Sequence, residues 1–397
     1  MIELRGKRNS AVIYADKIDR ETKTKLAELL RDIAFSESKI RIMPDAHFGK
    51  GCVVGTTMTL SRRLFPALVG VDIGCGMETA IIEEREIDLP KLDELIHSQI
   101  PCGSRINKNP LVTESEINLK ELRCYAKINA DRAYQSIGTL GGGNHFIELG
   151  RDEDGTFYLI IHSGSRQLGN DVAKYYQDAA YKYQYNKVKK NSRANSFKRD
   201  DDDEEYFTKP IKHERKTSSV VYARAILEGN LFDDYIHDIS IVQKFADLNR
   251  KTIVETIRSS MELNVKDSFS NVHNYIDTDR MILRKGAVSA NQGERLIIPL
   301  NMRDGALICT GLGNPDWNFS APHGAGRVCN RTDAKYAYSV EEFREQMEGI
   351  YTTTANEGSI DECPMVYKAP DDIISLIGET VKIIKRVRPV YNFKACN

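Results

Sequence analysis

Three short apolar, β-rich blocks, at about residues 53–83, 146–163 and 281–310, are separated by helix-forming stretches. Each runs into a glycine-bearing loop that carries a cysteine or a histidine. So irregular an order does not fit a doubly wound parallel sheet, which is built from regular βα repeats. It predicts an α+β fold of mixed sheets with flanking helices, with a single catalytic centre at a shared sheet edge. In the first block VVGTTMTL, ALVGVDI and METAIIE read as strands, which places DIGCG in a loop. TFYLIIHSGSR, MILRKGAVSA, RLIIPLN and GALICTG continue the strand pattern.

Leu26, Leu29, Leu30 and Ile33 recur at helical spacing after Thr22, predicting an amphipathic helix over 20–35. Further helices are predicted near 117–136, as one or two long ones over 218–262, and near 340–350 and 371–386. No internal repeat is apparent. A chain of 397 residues suffices for one large core or two ordinary domains. Because the strand blocks converge on one centre, residues 1–397 read as a single catalytic domain, with a polar excursion or lid at about 188–216. Hydrophobic residues at 41%, charged residues at 28% and a formal net charge of -1 exclude disordered and collagen-like classes. They also require that any nucleic-acid binding come from a local basic surface. With no apolar run long enough for a bilayer and no apolar leader, a cytoplasmic protein without a membrane partner is expected. The eight cysteines lack CxxC pairs and read as reduced thiols, most of them core residues.

Four histidines, His145, His162, His273 and His323, stand in glycine-, serine- or asparagine-bearing loops or at strand ends. Any one alone reads as a hydrogen-bonded structural residue. Together with Asp72 and Cys75 they form a sulfur, nitrogen and oxygen donor set suited to borderline metals, with manganese, zinc, cobalt and iron all open. Gly74 and Gly76 strip away the side chains that would pack a core cysteine. Cys75 therefore reads as a thiolate able to bridge two ions, against the alternative of a buried thiol. GGGNHFIEL fits neither the dinucleotide fingerprint nor the P-loop lysine pattern. There Asn144 can contact a phosphate beside His145 as a ligand, and Glu148 can accept from a ribose; the competing reading is a tight turn capped by Asn144. His162 closes a strand, and Arg166 follows one short turn later as a phosphate clamp. Small residues leave His323 approachable, and Arg327 lies near enough along the chain to hold an anion. His323 is then either a nucleophile that takes a nucleotide α-phosphate as a phosphoramidate, or one more metal ligand.

MPDAHFGKG, VGVDIGCGM, GTLGGGNHFIEL, IIHSGSRQLG, VHNY, RKGAVSA, GLGNPDWNFSAPHGAGR and the C-terminal Lys394 resemble, in this order from about residue 40 onward, the RtcB family of RNA ligases. The resemblance implies an RtcB-type fold with one central dinuclear site. Asp72, Cys75 and His145 would hold one manganese ion and Cys75, His162 and His273 the second, with Cys75 shared. It implies GTP as cosubstrate and guanylylation of His323. Nucleotide contacts would come from Asn144, His145, Phe146, Ile147, Glu148, His273, Asn274, the Pro299, Leu300, Asn301 and Met302 loop, and His323, Gly324, Ala325 and Gly326, with Lys394 near guanine. Arg166 and Arg327 would neutralise RNA phosphate. Asp45 and His47 would orient ligands or substrate, the alternative being a hydrogen-bonded turn. The implied reaction passes the guanylyl group to an RNA 3′-phosphate, opened from a 2′,3′-cyclic phosphate where needed. A 5′-hydroxyl then displaces GMP, in tRNA splicing or RNA repair, with an archease-like activator as candidate partner.

The chain departs from the pattern in two places. Pro299-Leu300-Asn301-Met302 stands where many relatives carry Pro-Gly-Ser-Met, and Ala306 where some have a guanine-facing serine. The acidic run at 200–205 lies outside the signature and reads as a solvated loop. The rival enzyme reading is a dinuclear metal-dependent RNA phosphodiesterase with His323 as general acid and no covalent nucleotide. A non-catalytic RNA-binding relative is the third.

Overall fold

In the computed structural model, residues 1–49, 51–194 and 222–395 are described. Among them a six-stranded and a seven-stranded sheet carry the fold, with helices packed around them. The six-stranded sheet runs, in spatial order, Ile2–Arg5, Ser10–Ile13, Ile40–His47, Val54–Thr59, Ile282–Lys285 and Asn274–Asp277, and is mixed because Ser10–Ile13 lies parallel to Ile40–His47. The seven-stranded sheet runs Val265–Val272, Gly76–Ile82, Phe157–Ser163, Phe146–Arg151, Val381–Lys394, Gly305–Gly311 and Arg295–Asn301, antiparallel at each pairing.

The unbroken apolar run of Phe157–Ser163 is explained by its position, since every residue of that strand is buried. A strand covered on both faces does not alternate. The helix Asn230–Met261 packs on this strand and on Gly76–Ile82, with Phe245, Ile253 and Ile257 fully buried. Each such side chain contributes about 1.5–3 kcal/mol of transfer free energy. One 32-residue helix thus fills most of the stretch for which one or two were expected. The first helix, Arg20–Leu29, is capped by Asp19, whose carboxylate accepts the Thr22 N–H at 2.7 Å. Leu26, Leu29 and Leu30 are buried, whereas Ile33 opens a separate 3-10 turn and is exposed.

Three local expectations are corrected. ALVGVDI is not a strand: Pro66–Val69 forms one helical turn, opened by Pro66 at its first position, and residues 71–75 loop on to Gly76–Ile82. Residues 117–136 form two 3-10 turns and only then the short helix Ala130–Ser136. The helix expected over 371–386 stops at Ile374, and Val381–Lys394 is instead a 14-residue strand inside the larger sheet. Its β-branched residues and the tertiary pairing on both edges override the helical spacing of Ile373, Leu376 and Ile377. The polar excursion at 188–216 falls mostly outside the described residues; its first part continues the backbone of the helix Arg166–Ala194.

Candidate active site

Strand register brings the anticipated metal ligands to one edge. Gly76–Ile82 pairs with both Phe157–Ser163 and Val265–Val272, with Met77 opposite His162 and Gly76 opposite Val272. Cys75, His162 and His273 therefore lie at the same end of three neighbouring strands. Phe146 is opposite His162 in the next pairing, which sets His145 at that edge as well. The His273 N–H donates to the Cys75 carbonyl at 2.9 Å and the Gly74 N–H to the Asn274 carbonyl at 2.7 Å, tying the DIGC loop to the VHNY segment. Gly164 makes room for Asp72, because a Cβ there would stand 2.0 Å from Asp72 Oδ1.

The donor atoms converge. Cys75 Sγ is 3.6 Å from His145 Nε2 and 3.3 Å from His162 Nε2; His162 Nε2 is 3.3 Å from His273 Nε2; and His145 Nε2 is 3.2 Å from Asp72 Oδ2. The remaining nitrogens fix the tautomers. His145 Nδ1–H donates to the Leu140 carbonyl at 2.8 Å and His162 Nδ1–H to the Asn144 carbonyl at 3.0 Å. Burial holds His162 and His273 well below the ordinary imidazole range, so both are neutral. Nε2 lone pairs thus face one another, a thiol and a carboxylate, and one thiol proton cannot serve all of them. Burial, reinforced by Asp72, also pushes the Cys75 thiol well up, so its thiolate needs a cation beside it. A metal at about 2.0–2.3 Å from tetrahedral nitrogen and sulfur donors sets those donors about 3.3–3.7 Å apart. The donor set fits a metal centre built from Asp72, Cys75, His145, His162 and His273.

His323 continues this row of imidazoles. Its ring centroid is 5.0 Å from that of His273 and 6.4 Å from that of His47. Its Nδ1–H donates to Asp45 Oδ2 at 2.6 Å, and the same oxygen accepts the His323 backbone N–H at 3.2 Å. Asp45 is completely buried. With Nδ1 engaged, Nε2 is the ring nitrogen left for chemistry, on a residue that lines a cleft of about 1360 Å³. His47 lines the same cleft and is pushed down to about 4 by burial, with His323 adding to the shift.

The cleft is walled by most of the anticipated nucleotide residues, Asn144, Phe146, Glu148, His273, Pro299, Leu300, Asn301, Met302, His323, Gly324, Ala325, Gly326 and Lys394, and by the anticipated metal ligand His162. Burial pushes the Glu148 carboxyl up to about 8, against the pull of the Asn392 amide that donates to it at 2.9 Å and of the Lys394 charge. The Lys394 ammonium donates to the Asn144 carbonyl at 3.1 Å and pairs with Glu362 at 2.9 Å. His145, Ile147, Asn274 and Ala306 do not line the cleft. Ile147 and Ala306 are core residues, the latter packed with Ile160, Ile297 and Val387. Asn274 Oδ1 accepts the Gly286 N–H instead.

The two anticipated phosphate clamps are already engaged. Arg166 lies outside the cleft lining; its Nε donates to Thr139 Oγ1 at 3.0 Å and an amino group to the Gly103 carbonyl at 2.8 Å. Arg327 does line the cleft, but its three nitrogens donate to the Cys329 carbonyl, Glu362 and the Asp361 carbonyl. Buried Glu362 also takes Arg331 at 2.6 Å, so one carboxylate gathers three cations at the cleft wall. Nothing in the spacing of DECP marks Glu362 as such a hub. Reading the sequence also missed Asn249 and Arg250, both fully buried. Asn249 accepts the N–H groups of Gly138 and Thr139 and donates to the Thr139 and Gly164 carbonyls and to Ser163 Oγ. Arg250 donates to the Gly74 carbonyl at 2.8 Å and the Ser163 carbonyl at 3.1 Å. This pair joins the loop that carries Cys75 to the end of the strand that carries His162. An Asn-Arg pair on the core side of an apolar helix was the available signal.

Among the described residues no helix is long and apolar enough to cross a membrane. The family model described as tRNA-splicing ligase RtcB matches residues 27–121 and 105–395. The chain is 32% identical over 392 residues to the RNA-splicing ligase RtcB of Escherichia coli strain K12, covering 88% of each chain, and 32% identical over 391 residues to the RNA-splicing ligase RtcB1 of Escherichia coli strain ATCC 25922, again covering 88% of each. It is 24% identical to the tRNA-splicing ligase RtcB of Nanoarchaeum equitans over 88% of this chain and 86% of the relative. With the motifs in order, the donor set assembled at one sheet edge and matches of this extent, the chain belongs to the RtcB family of tRNA-splicing ligases.

Proposed function

We propose that this chain is an RNA ligase that joins 3′-phosphate or 2′,3′-cyclic-phosphate ends to 5′-hydroxyl ends in tRNA splicing or RNA repair. It would use GTP and two manganese ions held by Asp72, Cys75, His145, His162 and His273, with Cys75 shared. When bound, the ions polarise phosphate oxygens and lower the pKa of adjacent water or hydroxyl groups. The observation that carries the reading is the 2.6 Å pair between Asp45 and His323. Asp45 accepts the Nδ1 proton and leaves the Nε2 lone pair to attack the α-phosphorus of GTP. The N–P bond forms as the bond to pyrophosphate breaks, and buried Asp45 stabilises the positive charge that develops on the ring. An RNA 3′-phosphate oxygen then takes the guanylyl group and restores His323. Attack by a 5′-hydroxyl on the activated 3′-phosphate expels GMP and leaves a phosphodiester.

Glu148, Asn144 and Lys394, which line the cleft, would meet nucleotide donors and acceptors, with Glu362 paired to the Lys394 ammonium. A cytoplasmic location and an archease-like activator belong to the same proposal. Incubating the protein with α-labelled GTP and manganese tests it. An acid-labile, hydroxylamine-sensitive adduct is expected, lost in His323→Ala, together with joining of RNAs that carry the stated ends. No adduct, or an adduct that survives His323→Ala, overturns the mechanism. Cleavage without joining supports a phosphodiesterase instead.

A further inference from the structure

The strand Ile40–His47 ends at the mouth of the cleft, and the residue that follows it, Phe48, lines the cleft with about half of its surface exposed (48%). Phe48 is nonetheless carried on a firmly held backbone. Lys368 donates to the Pro44 carbonyl at 3.0 Å and the Ala46 carbonyl at 3.4 Å, and Asp45 is bonded to His323. Gly326, at φ +76°, lets the histidine loop rest directly on Asp45, where a Cβ would come within 2.4 Å of the Asp45 carbonyl oxygen. The position of the aromatic residue is therefore set relative to the nucleophilic ring. Phe48 thus offers an exposed aromatic face to the same cleft that His323 lines. Across the cleft lining the other exposed large apolar side chain is Val328, adjacent to Arg327. Lys17 and Arg20, both exposed, line the same mouth, and neither has an ion-pair partner among the described residues; Asp19 and Glu21 on the same wall carry the opposite charge.

We infer that Phe48 is the stacking platform for an unpaired nucleobase of the RNA, within a nucleotide or two of the reacting end, with Lys17 and Arg20 meeting the backbone phosphates that lead away from it. Aromatic faces bind unstacked bases of single strands with little regard to sequence, and neighbouring cations track the backbone. The inference rests on the RNA-ligase reading and adds to it a substrate contact distinct from the nucleotide and metal residues. It explains why a chain of net charge -1 can engage RNA through a local surface. The base can belong to the 3′-phosphate strand or to the 5′-hydroxyl strand.

The test uses the full-length protein. Phe48→Ala should raise KM for RNA on the order of tenfold while leaving guanylylation by GTP at the wild-type rate, and Phe48→Tyr should restore wild-type KM. The sole native tryptophan, Trp317, is buried and stacked on Tyr14 at 3.7 Å, so Phe48→Trp gives a clean reporter of base stacking. Its emission should be quenched by a short single-stranded RNA, with separate 3′-phosphate and 5′-hydroxyl oligonucleotides showing which strand stacks. Abasic substitution of the two nucleotides at the reacting end should remove the quench. Unchanged KM in Phe48→Ala, or no quench with either oligonucleotide, overturns the inference while wild-type joining leaves the ligase reading standing. A wild-type protein that neither guanylylates nor joins defeats the ligase reading itself.

Discussion

Replacing Asp45 by Asn tests the proposed nucleophile most directly, because it changes one buried charge and almost no volume. In the native site the carboxylate accepts the His323 Nδ1 proton at 2.6 Å and the His323 backbone N–H at 3.2 Å. During attack the ring becomes cationic beside this carboxylate. A full charge pair about 4 Å apart at an effective dielectric of about 20 is worth about 4 kcal/mol, which corresponds to about a thousandfold in rate. The asparagine amide can also donate to Nδ1, which moves the ring proton to Nε2 and silences the nucleophile; loss of the correct tautomer in comparable triads costs about ten-thousandfold. Single-turnover guanylylation with α-labelled GTP and saturating manganese should therefore slow by about 10³-fold or more in Asp45→Asn. Nucleotide affinity and thermal midpoint, measured on the same protein, should stay close to wild type. A guanylylation rate within tenfold of wild type would refute the argument, since it would mean that Asp45 neither selects the tautomer nor stabilises the ring cation.

Cys75→Ser should remove the thiolate-to-metal absorption band of the cobalt-loaded protein and abolish guanylylation; a retained band would place the cobalt elsewhere, and retained guanylylation would show that Cys75 is not shared by the ions. Nucleotide affinity should rise with pH up to about 8, where the buried Glu148 carboxyl ionises and becomes an anionic acceptor, then level off, and titration of Glu148→Gln should flatten this rise. The same group should weaken folding over that range. Between about pH 4.3 and 8 the unfolded chain gives up this proton while the folded chain keeps it, so its contribution to stability falls until about 8 and is flat above. Glu148→Gln should correspondingly lose less stability than wild type between pH 5 and 8 in denaturant titrations. Asn249→Ala strands buried N–H and carbonyl groups of the Gly138–Thr139 and Ser163–Gly164 loops and should cost about 3–5 kcal/mol in denaturant unfolding, with weaker metal binding; an unchanged midpoint would show that those loops hold their shape without it.

Much of the site was legible because its residues sit in short motifs whose composition is itself unusual. Cys75 between two glycines and His145 after a glycine run each announce a loop that leads into a strand, His162 announces the end of one, and register then brings them together. The pairing of Asp45 with His323 was harder to read. The two are 278 positions apart, and only tertiary packing of the histidine loop on Ile40–His47 joins them. Arg166 and Arg327 read as phosphate clamps from their place beside histidines, yet spacing cannot show that neighbouring carbonyls and Glu362 already occupy their donors. Ile147 alternates with the cleft residues Phe146 and Glu148 along its strand, and one step in a period of two turns a side chain into the core. The 371–386 region failed for the opposite reason: Ile373, Leu376 and Ile377 match a helix locally, while the long-range partners of Val381–Lys394 decide the outcome.

That strand has a consequence for how the molecule is made. It lies in the interior of the seven-stranded sheet, with Phe146–Arg151 on one side and Gly305–Gly311 on the other, and it delivers Lys394 into the cleft. The ribosome synthesises it long after both neighbours, so during translation the two parts of the sheet present unpaired edges to the cell. Such edges recruit other strands and favour aggregation until the gap is filled. Closure also depends on contacts spanning more than two hundred residues, which makes it slow relative to the local helices. A nascent chain arrested before residue 381 should therefore be protease-sensitive across both flanking strands, and the cleft lined by His323 and Lys394 should appear in one late step.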